Sequence, residues 1–453
     1  MDPEENLGDR MRREDLAVAI GCMTGDPEIN LLGIIDAKRA TGGVDGFTSV
    51  VLRVNAAYRT KRDEETVEDR RAALVVKTAP TVESQIFVAK ACRVFIREGV
   101  FFRDVVPLMR KASAGRVEVP VPECYLAISD GENDAIYMED LAARGFRTPD
   151  RSYQVEGLDL NHCVLAMKAL GRLHALGIAA ERLLPAGVSV METFPDIAKD
   201  ATIYDREPGE PEPFFKGLVE KGFEVVTKIC KHLDGLPKAA AESGVLENVL
   251  KGLWPSLKRL IKPSEKGMNV IAHGDYWMNN IMVKYESDGV TPIDAKILDF
   301  QAVRYCHPAV DVMNFMHICT QRNFRDKYFE SLVNDYYDSM TETLKAISQP
   351  IPFSKEDFVA DLYGKYRTFG VIISNIYLPM MMLGEEFAPS NAEDMTEERY
   401  DDLFKSGCSS SILRRYASDS RYRAKMDVLI REFVEVVLPY GLDSVELSPL
   451  LQL

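Results

Sequence analysis

The sequence predicts an α+β fold in two lobes, a small β-rich lobe over residues 1–138 and a larger, mostly helical lobe over 139–453. Three observations carry this. The chain has 453 residues, 46% of them hydrophobic, which is too long for one simple core and apolar enough to bury a substantial interior. Runs rich in β-branched and aromatic residues dominate the first 140 positions, and from about residue 158 the apolar spacing becomes that of helices. A short strand-like insert in the second lobe carries a cluster of polar residues, which is the layout of a protein-kinase-like fold.

Each element follows from its own stretch of chain. FTSVVLRVNAAY, 47–58, follows a glycine cluster and reads as a strand entered from a tight loop. After the charged turn TKRDEETVEDRR, the segment AALVVKTAP, 72–80, reads as a second strand that ends at Pro80, so the two can form a hairpin. Apolar positions at Ile86, Val88, Ala89, Cys92, Phe95 and Ile96 predict one helix over 83–98. VEVPVPECYLAI leads to a strand pair around 121–138. LDLNHCVLAMKALGRLHALGIAAERL is a strong amphipathic run, REPGEPEP at 206–213 is a loop, and helices resume at 214–232 and 244–261. The insert runs from NVIAHGDYWMNNIMVKY to AKILDFQAV, and the chain is helical again to about residue 439. The apolar segment Phe369–Gly384 is short and carries Ser374, Asn375 and Pro379, so it reads as a buried helix and no membrane span is expected.

Composition narrows the function classes. A formal net charge of −15 argues against a nucleic-acid partner, although a nucleotide needs only local positive charge. The eight cysteines include no CxxC pair, so they read as reduced, mostly buried thiols of a cytoplasmic protein. The charged start MDPEENLGDRMRRE lacks the apolar stretch of a signal peptide.

The chemistry is concentrated in His273-Gly274-Asp275-Tyr276-Trp277-Met278-Asn279-Asn280, followed by Asp299-Phe300-Gln301. Asn280 follows Asp275 by five positions, Asp299 comes nineteen later, and apolar strand-like residues flank all three. Phosphoryl transfer uses these residue types: Asp275 to orient an acceptor hydroxyl and take its proton, and Asn280 and Asp299 as hard oxygen ligands for Mg2+ on the phosphates of ATP. Protein kinases carry an Asp, an Asn five residues on, and then the Asp of DFG. Here DFQ replaces DFG, HGD replaces HRD, and His273 reads as a hydrogen-bonding residue of the loop. Lys77 is an isolated cation in the strand LVVKTAP, costly to bury unless paired. Glu98 is the expected partner that would aim it at phosphates, with Glu83 competing. The loop TGGVDGFTS, 41–49, includes Gly46 and reads as a place where backbone N–H groups approach phosphates, or as an ordinary turn. IYMEDL, 136–141, joins the two halves. It would present backbone groups to adenine with Met138 packed on the ring, or Glu139 and Asp140 cap a helix.

These residues together resemble the ecdysteroid kinase-like family, which belongs with choline kinases and aminoglycoside phosphotransferases. AIYMEDLAARGFRTPDR resembles its EDL-x-x-x-GF-x-x-x-x-R block, here Glu139, Asp140, Leu141, Gly145, Phe146 and Arg151. LGRLHALGIA resembles its LA-x-x-HA helix with His174, except that Gly171 stands where that pattern has Ala. HGDYWMNNIMVKY resembles its HGD-x-W-x-NN-x-M segment, and GFTSVVLRV its nucleotide-loop strand, with Ser49 and Arg53. The resemblance spans roughly residues 30–440. It implies a two-lobe kinase, ATP and Mg2+, and a hydroxylated, often steroid-like acceptor. Specificity for that acceptor is expected in 185–260, where Phe194, Tyr204, Phe214, Phe215 and Phe223 either line an apolar pocket or pack the core. Two other readings stay open. One is a kinase of a cationic molecule such as choline or an aminoglycoside, for which Asp196, Asp200, Asp205 and Glu207 would supply carboxylates. The other is a ligand-binding protein that keeps the fold without catalysis.

Overall fold

The computed structural model describes residues 7–40, 48–60, 69–150, 152–198, 200–204, 212–234, 236, 245–265, 267–389 and 396–437. Helix α1 (Arg13–Thr24) precedes a five-stranded antiparallel sheet of β1 (Asn30–Arg39), β2 (Val50–Arg59), β3 (Arg70–Thr78), β4 (Cys124–Ile128) and β5 (Ala135–Glu139), in the order β1-β2-β3-β5-β4. The period of two is clear in β2, where Val50, Leu52, Val54, Ala56 and Tyr58 are buried and the residues between them are half-buried. That face packs with Leu74, Val76 and Tyr137 against Leu16, Ala19 and Ile20 of α1. Lys77, one step out of phase with Val76, turns to the opposite face. It pairs with Ile136 in the register of β3 and β5, so Met138 lies on its face too.

The helix expected over 83–98 is two helices, α2 (Glu83–Ala91) and α3 (Val94–Val100). Arg93 parts them with a left-handed φ of 53°. Apolar residues on both sides of the break still face the protein interior, so their spacing runs on through it. Helix α1 and strand β1 lie outside the sequence reading. Strand β1 sits at the sheet edge with only Leu31 buried, so it shows no alternation.

The chain then passes through α4 (Val106–Ser113) and the short strand β6 (Phe146–Arg147) into helices. These are α5 (Leu160–Glu181), α6 (Phe214–Cys230), α7 (Val245–Ile261), α8 (Ala309–Cys319), α9 (Arg322–Ala346), α10 (Arg367–Met381) and α11 (Ser420–Val437). Helix α5 is long and apolar enough to cross a membrane, but most of its apolar window is buried inside the protein. Every residue of α8 is buried. Between α7 and α8, β7 (Val270–Ala272) pairs with β10 (Arg304–Cys306), and β8 (Ile281–Tyr285) forms a hairpin with β9 (Pro292–Ile297). The result is a two-lobe kinase-like α+β fold with the polar insert on these small strands.

Gly171, where the family pattern carries Ala, sits at the crossing of α5 and α9. A Cβ there would stand 2.5 Å from the Tyr336 carbonyl oxygen and 3.0 Å from the Met340 nitrogen. Both are backbone atoms of α9, so two helices would have to separate. Gly171→Ala is therefore expected to destabilise the protein by about 1–3 kcal/mol, although Ala is the better helix former. Urea unfolding measures this, and an unchanged midpoint would show that the helices part without cost.

Candidate active site

Strand β7 ends at Ala272 and delivers His273, Gly274 and Asp275 onto a tight loop. Gly274 has a φ of 81°, and a Cβ there would overlap the Ala302 carbonyl oxygen, so only glycine fits. The loop hangs on Asp311 of α8. Its carboxylate accepts from the backbone N–H of His273 at 2.6 Å, from that of Gly274 at 2.8 Å and from His174 Nε2 at 3.0 Å. His174 is itself fixed by the Tyr336 hydroxyl at 2.8 Å. Burial pushes the Asp311 carboxyl up, but the hydrogen bonds from His174 and the Gly274 N–H outweigh it and hold it below the usual range. His273 donates from Nε2 to the Leu298 carbonyl at 2.8 Å and accepts at Nδ1 from the Asp275 N–H at 3.2 Å. It is a hydrogen-bonding residue of the loop.

Asp275 is half-buried, and its carboxyl is pushed up to about 6, by burial first and by the charge of Asp299. Asn280 Nδ2 donates to the Asp275 carbonyl at 2.8 Å and to its carboxylate at 3.2 Å. The Asn280 amide oxygen is thereby turned away from Asp275. Leu298 N–H donates to the Asn280 carbonyl at 2.8 Å, which joins the start of β8 to the end of β9.

Asp299 follows β9 with a left-handed φ of 64°, uncommon for a residue with a side chain. Phe300, fully buried, anchors it: the ring stacks on Phe101 at 3.7 Å and lies 4.8 Å from the His273 ring. Lys77 Nζ lies 2.6 Å from Glu98 and 2.7 Å from Asp299. Burial alone would lower the Lys77 pKa, but the two carboxylates outweigh it and keep the ammonium charged. Glu98 also accepts from the Phe300 N–H at 3.2 Å, so one carboxylate ties α3 to both Lys77 and the Asp299 turn. Glu83 is exposed at the start of α2, and the ion pair is made by Glu98.

A cavity of about 300 Å³ opens at Asp275, Asn280 and Asp299. Its polar end also holds Gln301, which accepts from the Thr48 hydroxyl at 2.7 Å, and Arg304, 3.1 Å from Asp200. The rest is largely apolar. Ile203 and, from α6, Phe215 and Leu218 contribute from 185–260, and helix α10 adds Phe369, Ile373, Tyr377 and Met380, with Phe387 and Leu403 beyond it. Phe194 and Phe223 pack in the core, Phe223 at 4.9 Å from Phe433, and the Phe214 side chain lies outside the described residues. Ser49 is buried just before β2, Met138 is half-buried and Leu141 is buried; none of them lines this cavity. Asp140 caps the short helix Leu141–Arg144 through the Ala142 N–H at 3.1 Å and pairs with Arg53 at 2.7 Å, while Glu139 pairs with Arg144 at 2.9 Å. Gly46, Arg151, Asp205 and Glu207 lie outside the described residues.

Sequence reasoning missed Asp311, Arg304 and the α10 wall. Asp311 lies 36 positions beyond Asp275 in an apolar run, and the only signal for it was an acidic residue where burial needs a partner. Arg304 sits five positions after Asp299 and is buried.

The ecdysteroid kinase-like family matches residues 43–349, more than half of the chain. No curated protein sequence matches it. Similar solved structures include a spectinomycin phosphotransferase in complex with ADP and spectinomycin, 11% identical over 88% of this chain and 94% of that one, with a TM-score of 0.38. A choline/ethanolamine kinase family protein from Mesorhizobium loti is 11% identical over 87% and 92%, with a TM-score of 0.32. A microcompartment-associated aminopropanol kinase is 12% identical over 90% and 99%, with a TM-score of 0.36.

Because Asp311 titrates below its unfolded value, near 3.9, its stabilisation is complete above about pH 4 and is lost as pH falls through the folded value. Asp311→Asn is expected to lower the melting temperature at pH 7 and to flatten its fall below about pH 4. Thermal melts across that range decide the matter, and a variant with the wild-type acid slope would reject the assignment.

Proposed function

We propose, from the premise that the chain belongs to the ecdysteroid kinase-like family and is a small-molecule kinase, that it transfers a phosphoryl group from ATP, with Mg2+, to a hydroxyl of a lipophilic, steroid-like alcohol. The observation that carries this reading is a single cavity with Asp275, Asn280 and Asp299 at one end and an apolar wall over most of the rest.

The residues fit the groups this reaction needs. Lys77, kept charged between Glu98 and Asp299, would hold phosphate oxygens. The Asn280 amide oxygen and the partly exposed Asp299 carboxylate are hard donors suited to Mg2+. Among the described residues no group of three or more His, Cys, Asp or Glu is placed to hold a metal. That suits an ion bound by one or two protein oxygens together with phosphates. Bound ATP supplies the phosphoryl group and Mg2+ offsets its negative charge. Asp275 would orient the acceptor hydroxyl and accept its proton as the oxygen bonds to phosphorus. The rigid loop under Asp275 holds that carboxylate ready, and positioning is most of what a phosphotransferase contributes.

The apolar lining of the cavity favours a neutral acceptor. Of the four carboxylates that would serve a cationic one, Asp196 is paired with Arg93 and Asp200 with Arg304, and Asp205 and Glu207 lie outside the described residues.

Asp275→Asn is expected to keep ATP binding and to slow transfer by about 10²- to 10⁴-fold; turnover at the wild-type rate would remove Asp275 from this role. Asn280→Ala and Asp299→Ala are expected to raise the Mg2+ concentration needed for half-maximal activity, and an unchanged Mg2+ titration in either variant would count against it as a ligand. The acceptor is tested by incubating the protein with ATP, Mg2+ and ecdysone, cholesterol, choline or kanamycin and looking for a phosphate ester by mass. Product from choline or kanamycin alone rejects the lipophilic reading. No product from any of the four favours a binding protein without catalysis.

A further inference from the structure

Helix α10 lines the cavity with one stripe. Phe369, Ile373, Tyr377 and Met380 are spaced by four, four and three, so their side chains stack along one side of the helix. The polar residues between them are used elsewhere: Ser374 donates to the Val371 carbonyl at 3.2 Å, and Asn375 to the same carbonyl at 2.8 Å. Tyr377 is thus the one residue of the stripe that brings a polar atom to the chamber.

Its ring is held from the α6 side by Phe215, with centroids 5.9 Å apart. No hydrogen bond to its hydroxyl is formed among the described residues. Two fully buried tyrosines of this lobe have partners within the chain: Tyr276 donates to the Ala166 carbonyl at 2.7 Å and Tyr336 bonds His174, whereas Tyr377 is half-buried beside the chamber. Burial pushes the Tyr377 phenol up first, and the charge of Asp275 pushes it further, so it stays a neutral donor and lies within electrostatic reach of the proposed base. A phenol that lines the chamber and has no partner within the described residues is available to one from outside the chain.

We infer that the Tyr377 hydroxyl is the acceptor-binding donor of the chamber, hydrogen-bonding an oxygen of the acceptor while the apolar stripe packs its body. This rests on the reading of the cavity as the acceptor site. It adds a requirement to that reading: the acceptor is a neutral, largely apolar molecule with an oxygen that meets Tyr377 when its hydroxyl is at Asp275. An alkyl body without such an oxygen would leave the phenol unpaired and bind less well.

Tyr377→Phe removes one oxygen and keeps the ring, so the packing against Phe215 survives. With ecdysone as acceptor, the variant is expected to show an acceptor KM raised about tenfold, the scale of one hydrogen bond, with the KM for ATP and the melting temperature unchanged. A purely structural role would instead move the melting temperature. Binding is read independently of turnover by quenching of Trp277, which lines the same cavity, in a Trp254→Phe background. An acceptor KM and a quenching Kd both equal to wild type overturn the inference. Should choline or kanamycin alone be turned over, the lipophilic reading falls, and the same comparison with that acceptor decides the role of Tyr377 separately. Quenching by none of the four probes in the wild-type chain overturns the inference as well, because the chamber would then not be the acceptor's.

Discussion

The site depends on one buried carboxylate. Asp311 has no exposure, yet it accepts from two consecutive backbone N–H groups and a histidine. An ionised group in such surroundings is tolerable only when it is well supplied with donors, and here the carboxylate and its donors belong to three different elements. Helix α8 carries the carboxylate, α5 brings His174, and the turn after β7 supplies the amides. The helical lobe cannot pack correctly without shaping the loop, because the same three contacts do both. The position of Asp275 is in this sense a product of core packing.

A second set of contacts joins the sheet to this scaffold. Glu98 meets Lys77 of β3 and the Phe300 N–H, so helix α3 registers the strand and the turn against each other. Its neighbour Arg97, almost fully buried, donates to the Asp196 and Val303 carbonyls, and Arg304 reaches Asp200. Strand, helix and turn are thereby held by Lys77 between Glu98 and Asp299, and the segment beside the cavity by the Arg304–Asp200 pair and the carbonyls that Arg97 meets. Breaking either buried pair would leave a charge without its partner, which is strongly destabilising.

Much of this was legible before the structure. The β2–β3 hairpin announced itself by alternation, and the spacing of Asp275, Asn280 and Asp299 marked a site because polar residues interrupted strand-like runs at both places. The Lys77–Glu98 pair followed from the cost of burying a lysine. What escaped notice did so for identifiable reasons. Strand β1 is an edge strand with one buried residue and no pattern to detect. The break at Arg93 lies within a continuous apolar stripe. Asp311 is a lone acid whose partners are 37, 38 and 137 residues away in sequence. The chamber wall on α10 was visible as a buried helix, but periodicity cannot distinguish side chains that fill a core from those that leave a space open beside it.

Phe300 illustrates a different kind of constraint. Its ring is sandwiched among Phe101, Phe102 and His273, its N–H is held by Glu98, and the next residue, Gln301, is tied to Thr48. Swinging the ring out would expose a side chain worth about 1.5–3 kcal/mol of burial and release two hydrogen bonds besides. The turn also lacks the glycine that would let the backbone swivel freely after Phe300. A chain built this way acquires its working geometry once, during folding, and keeps it. The carboxylate of Asp299 is therefore aimed by the packing of its neighbour's ring.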